Sequence, residues 1–329
     1  MGVLVTGATG FVGGHVARQL VAAGAEVRCL VRESSSRRNL RDLNVTTAVG
    51  DLRDAAAVRA AVAGCRQVYH CGADYRLWVP HPPEMYAANV DGTRNVMRAA
   101  AAEGVQRVVY TSSVGALGLR ADGEPADENE PVGLGDMTGH YKRSKFLAER
   151  VVEEWAGRGV PVVIVNPSAP VGEGDLKPTD TGRIILDFLR GMVPVYIGTG
   201  LNLVDVRDVA RGHLLAAEKG RIGQKYILGN RDMSLGEIYR VLARISGRPA
   251  PRYRLPYWLP WGVAAIDTGL ARLRGRRPRI PLDAVRLARH RMYFDPGRAR
   301  RELGLPQTPV EQALARAVRW FRDHGYVDG

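Results

Sequence analysis

Tyr141 and Lys145 stand four residues apart in Tyr141-Lys142-Arg143-Ser144-Lys145, a spacing that puts both on one face of a helix. A free phenol titrates near ~10 and is a poor base at neutral pH; a nearby ammonium favours the phenolate and brings proton exchange into reach. Such a pair can give a proton to a substrate oxygen or take one from it. The same spacing also arises by chance on exposed helices, so the residues that accompany it decide its meaning. Upstream, Thr111-Ser112-Ser113 closes a β-branched apolar run. In an open α/β sheet that is the carboxyl edge, where ligands bind. A hydroxyl there, Ser113 with Ser112 as the adjacent candidate, can orient the same substrate oxygen.

A third element lies at the amino end. Thr6-Gly7-Ala8-Thr9-Gly10-Phe11-Val12-Gly13 follows a predicted strand and opens a predicted helix, the context that a dinucleotide fingerprint requires. One glycine allows the tight turn, one lets backbone N–H groups reach a pyrophosphate, and one permits close helix-to-strand packing. Gly7, Thr9, Gly10, Phe11, Val12 and Gly13 are therefore cofactor-binding candidates. The second strand ends Leu30-Val31-Arg32, with Glu33 one step on and Arg37 and Arg38 following. An acid at this place accepts from ribose hydroxyls and an arginine accommodates a 2′-phosphate. The basic cradle of Arg32, Arg37 and Arg38 favours NADP(H) over NAD(H).

The elements that must position these groups follow from periodicity. Short β-branched runs predict strands over 3–6, 26–31, 45–49, 67–70, 107–111, 162–166 and 225–228. Longer Ala/Leu/Arg segments predict helices over 12–23, 55–63, 84–103, 141–156, 182–190, 235–246, 258–272 and 309–324. Strand and helix alternate through the first half, the signature of βαβ units. The expected fold is a Rossmann-type doubly wound parallel sheet of the α/β class with a smaller, interleaved C-terminal substrate lobe. Residues 1–166 and 203–228 would form the NAD(P)-binding domain, and 167–202 and 229–329 the substrate-binding lobe.

The glycine loop, the strand-end serines and Tyr141-x-x-x-Lys145 occur in order, and together they resemble the extended short-chain dehydrogenase/reductases across the nucleotide-binding lobe. That resemblance implies Ser113 as the substrate-orienting hydroxyl, Tyr141 as acid/base and Lys145 as its activator and ribose ligand. It also implies cofactor contacts from Asp51 and Leu52 after the third strand, Cys71, Gly72 and Ala73 after the fourth, and Asn89, Ser112, Pro167 and Ser168. His70 reads as pocket lining rather than a base. Val204-Asp205-Val206-Arg207-Asp208-Val209-Ala210 matches a strand-to-helix motif that is mainly structural in the family.

Ala73-Asp74-Tyr75-Arg76-Leu77-Trp78, Gly139-His140-Tyr141, Lys177-Pro178-Thr179, Thr181-Gly182-Arg183, Tyr226-Ile227-Leu228-Gly229 and Trp320-Phe321-Arg322-Asp323-His324-Gly325-Tyr326 look like the bacterial hopanoid-associated sugar epimerases. These are in turn similar to the dihydroflavonol 4-reductases. The resemblance implies an NAD(P)-dependent epimerase-like enzyme acting on a secondary alcohol or ketone of a small sugar or lipid-linked polyol, tied to hopanoid synthesis. The alternative is an NADPH-dependent ketone or aldehyde reductase using the same residues. A third reading is a non-catalytic NADP-sensing protein. Asp74, Tyr75, Arg76, Trp78, Lys177, Thr179, Arg183 and Asn202 are substrate-facing candidates. A homodimer through the helices over 84–103 and 141–156 is expected.

Composition sets the outer bounds. The chain has 329 residues and 45% hydrophobic content, ordinary for a globular protein. Cys29, Cys65 and Cys71 show no metal-ligand spacing, so no metal is expected and a reducing, cytoplasmic setting is. The net charge of +13 raises nucleic acid as a partner, but the surplus sits at the C-terminal end: residues 251–329 hold sixteen Arg against seven acids. The motifs absorb part of it at the cofactor and leave no call for nucleic acid. What remains is the cluster Arg272, Arg274, Arg276, Arg277 and Arg279, which follows an apolar segment with Trp258 and Trp261. That pattern suits peripheral contact with an anionic inner-membrane surface.

Overall fold

The computed structural model describes residues 2–76, 79–273, 285–286 and 289–327. The central layer is a sheet whose strands are buried on both faces. β1 (Gly2–Thr6) sends Val3 and Val5 to one side and Leu4 to the other, as the two-residue repeat of a strand requires. It pairs in parallel with β2 (Val27–Val31) and β4 (Cys65–His70). β2 pairs with β3 (Val45–Val49), and β4 with β5 (Arg107–Thr111). Beyond β5 come β6 (Val162–Pro167) and β10 (Lys225–Leu228), also parallel. The order β10-β6-β5-β4-β1-β2-β3 contains the 3-2-1-4-5-6 arrangement of a doubly wound dinucleotide fold.

Helices cover both faces. α1 (Phe11–Ala22) and α7 (Val206–Lys219) pack on the side of Val3 and Val5. α2 (Ala55–Val62), α4 (Gly92–Ala102) and α5 (Gly139–Gly157) close the other. The helix expected over 84–103 is more complex than a plain α-helix. α3 (Pro82–Tyr86) passes through a π-helical turn over Ala87–Asp91 before α4 begins. A wider turn of this kind re-aims side chains and recurs at functional sites; here it carries Asn89.

A second layer lies on the carboxyl side of the sheet. β7 (Ala169–Val171), β9 (Gly200–Asp205) and β11 (Arg231–Ser234) form a three-stranded sheet, and β8 (Val195–Ile197) pairs with β12 (Tyr253–Leu255). α6 (Asp180–Leu189), α8 (Leu235–Ser246) and α10 (Val310–Asp323) enclose a core of Ile185, Leu189, Leu203, Leu242, Leu314 and Phe321. α8 starts with a capping box, Ser234 with Glu237, and stops at left-handed Gly247, both legible stop-and-start signals. α9 (Trp258–Leu273) follows β12.

The expected strands of the main sheet appear within two residues of their positions. β7, β8, β11 and β12 were not foreseen, and β9 and α7 only as the strand-to-helix motif over Val204–Ala210. Three of those strands span three residues each, too short for a periodic signal. The motif at α7 works as a helix start: the Asp205 side chain accepts from the Arg207 N–H at 2.9 Å.

Candidate active site and cofactor cradle

The glycine loop is built by close approach. Gly7 has φ +69°, and a Cβ there would lie 2.6 Å from the Gly72 nitrogen. A Cβ on Gly13 would lie 2.4 Å from the Gly7 carbonyl oxygen. Neither place admits a larger residue. Gly10 opens α1 with no side-chain cap, and the first turn holds no acid. Its free N–H groups and the positive end of the helix dipole are therefore open to a phosphate. The residues present fit a dinucleotide's pyrophosphate.

His70 locks the loop from beneath. The Thr6 hydroxyl accepts from the Gly72 N–H at 3.0 Å and donates to His70 Nδ1 at 2.7 Å; His70 Nε2 donates to Thr93 Oγ1 at 3.0 Å, which donates to the Asn89 carbonyl at 2.6 Å. Partners on both ring nitrogens assign the Nε2–H tautomer. Burial, aided by the charge of Lys145, pushes His70 down to about 3. It is a neutral strut joining β1, β4 and the π-turn. Cys71 is partly buried, its thiol pushed up to about 11 by burial, so it stays protonated and unreactive.

At the carboxyl end of β5 the two serines diverge. Ser113 caps a 3₁₀ turn by accepting from the Gly115 N–H at 3.0 Å. Burial pushes the Tyr141 phenol up, aided by Asp180 and Asp74 and opposed by the neighbouring Ser113 hydroxyl. Ser112 instead donates to Glu149, a fully buried carboxylate. Lys145 sits one turn along α5 from Tyr141, its Nζ donating to the Thr111 carbonyl at 2.6 Å and the Tyr110 hydroxyl at 3.1 Å. Burial brings its ammonium down to about 8, with Glu149 pulling the other way. Lys145 is thus anchored on β5, one helical turn from Tyr141.

Sequence reasoning missed what aligns this edge. Glu149 also accepts from Asn166 Nδ2 at 2.9 Å and pairs with Lys225 Nζ at 2.6 Å; Asn166 Nδ2 further donates to the Ser113 carbonyl at 3.1 Å. One buried carboxylate therefore ties α5, β5, β6 and β10 together. Glu149 lies four residues beyond Lys145 on the same helical face, the one signal in the sequence that could have found it. Lys142 was missed as well. It is 9% exposed, its Nζ meets Met292 Sδ at 3.8 Å, and burial lowers it to about 8.

Residues 3–229 match the NAD dependent epimerase/dehydratase family. The chain belongs to that family. It is 46% identical to a putative dihydroflavonol 4-reductase of Synechocystis over 98% of this chain and 95% of that one. It is 38% identical to sterol demethylase protein B of Methylococcus capsulatus over 99% and 100%. A solved nucleoside-diphosphate-sugar epimerase from Pseudomonas aeruginosa superposes with TM-score 0.81 at 30% identity, covering 100% of this chain and 99% of that one. The chain is an NAD(P)-dependent enzyme of the extended short-chain dehydrogenase/reductases.

For this family member the remaining candidates sort by geometry. Arg32, Arg37 and Arg38 are exposed at the end of β2. Arg32 bears on Asp51, whose carboxyl is held low chiefly by Arg53, which donates to both its oxygens at 2.9 Å. Arg38 bears instead on Tyr326. Leu52 packs on Gly72, where a Cβ would stand 2.9 Å from its methyl. Asn89 turns to the protein: it exchanges hydrogen bonds with the Asp74 backbone at 2.7 and 2.8 Å and donates to Ser144 at 2.9 Å. It positions the Ala73–Tyr75 backbone and α5. Pro167 ends β6, and Ser168 donates to the Leu228 carbonyl at 3.4 Å.

On the substrate side, Asp74 pairs with Arg76 at 2.5 Å, and the Tyr75 hydroxyl donates to the Lys177 carbonyl at 3.2 Å. Arg183 and Lys177 are exposed. Thr179 caps α6 and donates to Asp175 at 2.8 Å; burial raises that carboxyl to about 6. Asn202 is a correction: it is 1% exposed and committed to Asp232, the Phe294 carbonyl and the Asn230 N–H, so it braces the small sheet. Trp78 and the run Arg274, Arg276, Arg277 and Arg279 lie outside the described residues. A cavity of about 670 Å³ opens between β8, β12 and α8, lined by Arg240, Arg252, Arg254 and Arg291. Among the described residues no cluster of His, Cys, Asp or Glu could hold a metal ion.

Proposed function

We propose that the enzyme reduces a ketone or aldehyde, or oxidises the matching alcohol, using NADP(H). The observation that carries this is Ser113 held at the carboxyl edge of β5 by the 3₁₀ turn it caps, bearing on the buried Tyr141 phenol, with Lys145 fixed to the same edge through the Thr111 carbonyl. The nicotinamide, when bound, supplies or accepts the hydride. Ser113 holds the substrate oxygen, and Tyr141 delivers its phenolic proton to that oxygen in the reducing direction and removes it in reverse. Burial keeps Tyr141 protonated at neutral pH, the form a proton donor needs. Lys145, on the Thr111 carbonyl, holds the ribose and supplies positive charge beside the phenol.

The reductase reading is favoured by the 46% identity to a protein named for such a reaction. A second reading, epimerisation through a transient ketone, is supported by the likeness to a sugar epimerase and uses the same residues twice. Exposed Arg32 supports NADP(H) over NAD(H). The substrate class implied by the family resemblance is a small sugar or a lipid-linked polyol. We further propose that Ser112, whose hydroxyl serves Glu149, acts on the cofactor only through its backbone.

Purified enzyme incubated with NADPH and a panel of ketones and sugars tests the assignment. Consumption of one NADPH per product supports the reductase. Interconversion of sugars with no net cofactor change would replace it with the epimerase. Tyr141→Phe should lower turnover by about 10²–10⁴ while NADPH still quenches tryptophan fluorescence with unchanged affinity; full activity in that variant would end both readings.

A further inference from the structure

α9 presents an apolar face to solvent. Among the described residues twelve large hydrophobic side chains are exposed, and six of them lie on this one helix. At 100° per residue, Leu259, Val263, Ile266 and Leu270 fall in one narrow stripe; they are 38%, 53%, 67% and 41% exposed. Ala264 and Ala271 face inward at 0% and 1%. Trp258 and Trp261 stand at the amino end, 68% and 44% exposed, and Tyr253 just before them is 71% exposed. An exposed apolar stripe of this kind marks an interaction surface rather than scattered surface residues.

Charge identifies what covers it. β12, which leads into α9, carries exposed Arg252 and Arg254. The sequence continues from α9 through Arg272, Arg274, Arg276, Arg277 and Arg279, with no acid between Asp267 and Asp283. An anionic lipid surface neutralises these arginines. An aliphatic stripe along one side, with tryptophans at the amino end and arginines at the margin, is also the composition of a helix that lies in a bilayer interface. Among the described residues no helix is long and apolar enough to cross a membrane, so the contact is with one leaflet.

We propose that α9 is a docking surface for anionic phospholipid, through which the enzyme sits on a membrane with its Leu259–Val263–Ile266–Leu270 stripe in the acyl boundary. The wall Arg254, Leu255, Pro256 and Tyr257 of a second cavity, about 510 Å³, runs directly into Trp258. Docking therefore brings a basic cavity next to the lipid headgroups.

The test is sedimentation of the full chain with vesicles of phosphatidylglycerol and phosphatidylcholine, and with phosphatidylcholine alone. Wild type should pellet with the mixed vesicles at low salt and release as salt shortens the screening length. The double variant Val263→Asp/Ile266→Asp, at exposed sites, should lose binding by roughly tenfold or more with an unchanged melting curve. Met192→Asp, at an exposed apolar residue elsewhere, should bind as wild type does. Wild type that stays in the supernatant with anionic vesicles at low salt would overturn the proposal. So would a double variant that binds equally well, or one whose only change is a dimer becoming a monomer.

Discussion

Replacing Arg32 with serine should separate the two nicotinamide cofactors if the 2′-phosphate sits where we propose. Arg32 is exposed at the carboxyl end of β2, and its guanidinium reaches the field of Asp51 without bonding to it, since Arg53 holds both Asp51 oxygens. It is therefore available to a ligand at this edge. A hydrogen bond to a charged group contributes about 1.5–3 kcal/mol; exposure of the arginine lowers this to about 1–2 kcal/mol here. That corresponds to a loss of roughly 5–30-fold in kcat/KM for NADPH. NADH lacks the 2′-phosphate, and its kcat/KM should stay within about twofold. The assay is initial-rate kinetics with each cofactor at saturating carbonyl substrate. A ratio that does not change, or an equal fall with both cofactors, would refute the placement of the 2′-phosphate at Arg32. Arg38→Ser should matter less, because Arg38 bears on Tyr326 at the far side of the loop.

Other consequences follow from the same geometry. Ser113→Ala should reduce kcat by roughly 10²-fold or more, as loss of a positioned hydroxyl does, whereas Ser112→Ala should leave kcat near wild type and lower the melting temperature; the reverse pattern would exchange the two roles. Glu149→Ala breaks a buried pair and should cost about 3 kcal/mol in urea denaturation, toward the lower end of such losses because Lys225 keeps Glu153 at 2.8 Å. Lys142 is held at about 8 by burial alone, so the folded protein carries the cost of its charge at every pH below about 8. That cost fades as pH rises from about 8 towards the unfolded value of ~10.4, where both states lose the proton. Lys142→Met should raise stability at pH 7 by up to about 3 kcal/mol, with the gain shrinking above pH 8; a lower melting temperature at pH 7 would show that the ammonium has a partner.

What the sequence could determine was whatever depends on residues close together in the chain. The βαβ alternation, the glycine loop and the Tyr141–Lys145 spacing are local patterns, and the sheet order follows because right-handed crossovers leave few ways to connect them. The helix starts at Asp54, Asp205 and Ser234 are equally local, each a side chain bonding to a backbone N–H two or three residues on. Which of two adjacent serines faces Tyr141 is not local. Ser112 and Ser113 point opposite ways off β5, and only the arrival of Glu149 from α5 and Asn166 from β6 assigns one to structure and leaves the other to chemistry. The same holds for the anchoring of Lys145 on Thr111 and Tyr110, and for Asn202, a polar residue that reads as a substrate contact until Asp232 and Phe294 close over it. Periodicity records which face of an element is buried. It does not record which distant element supplies the partner, because a buried polar group takes whichever donor or acceptor the completed packing brings within about 3 Å.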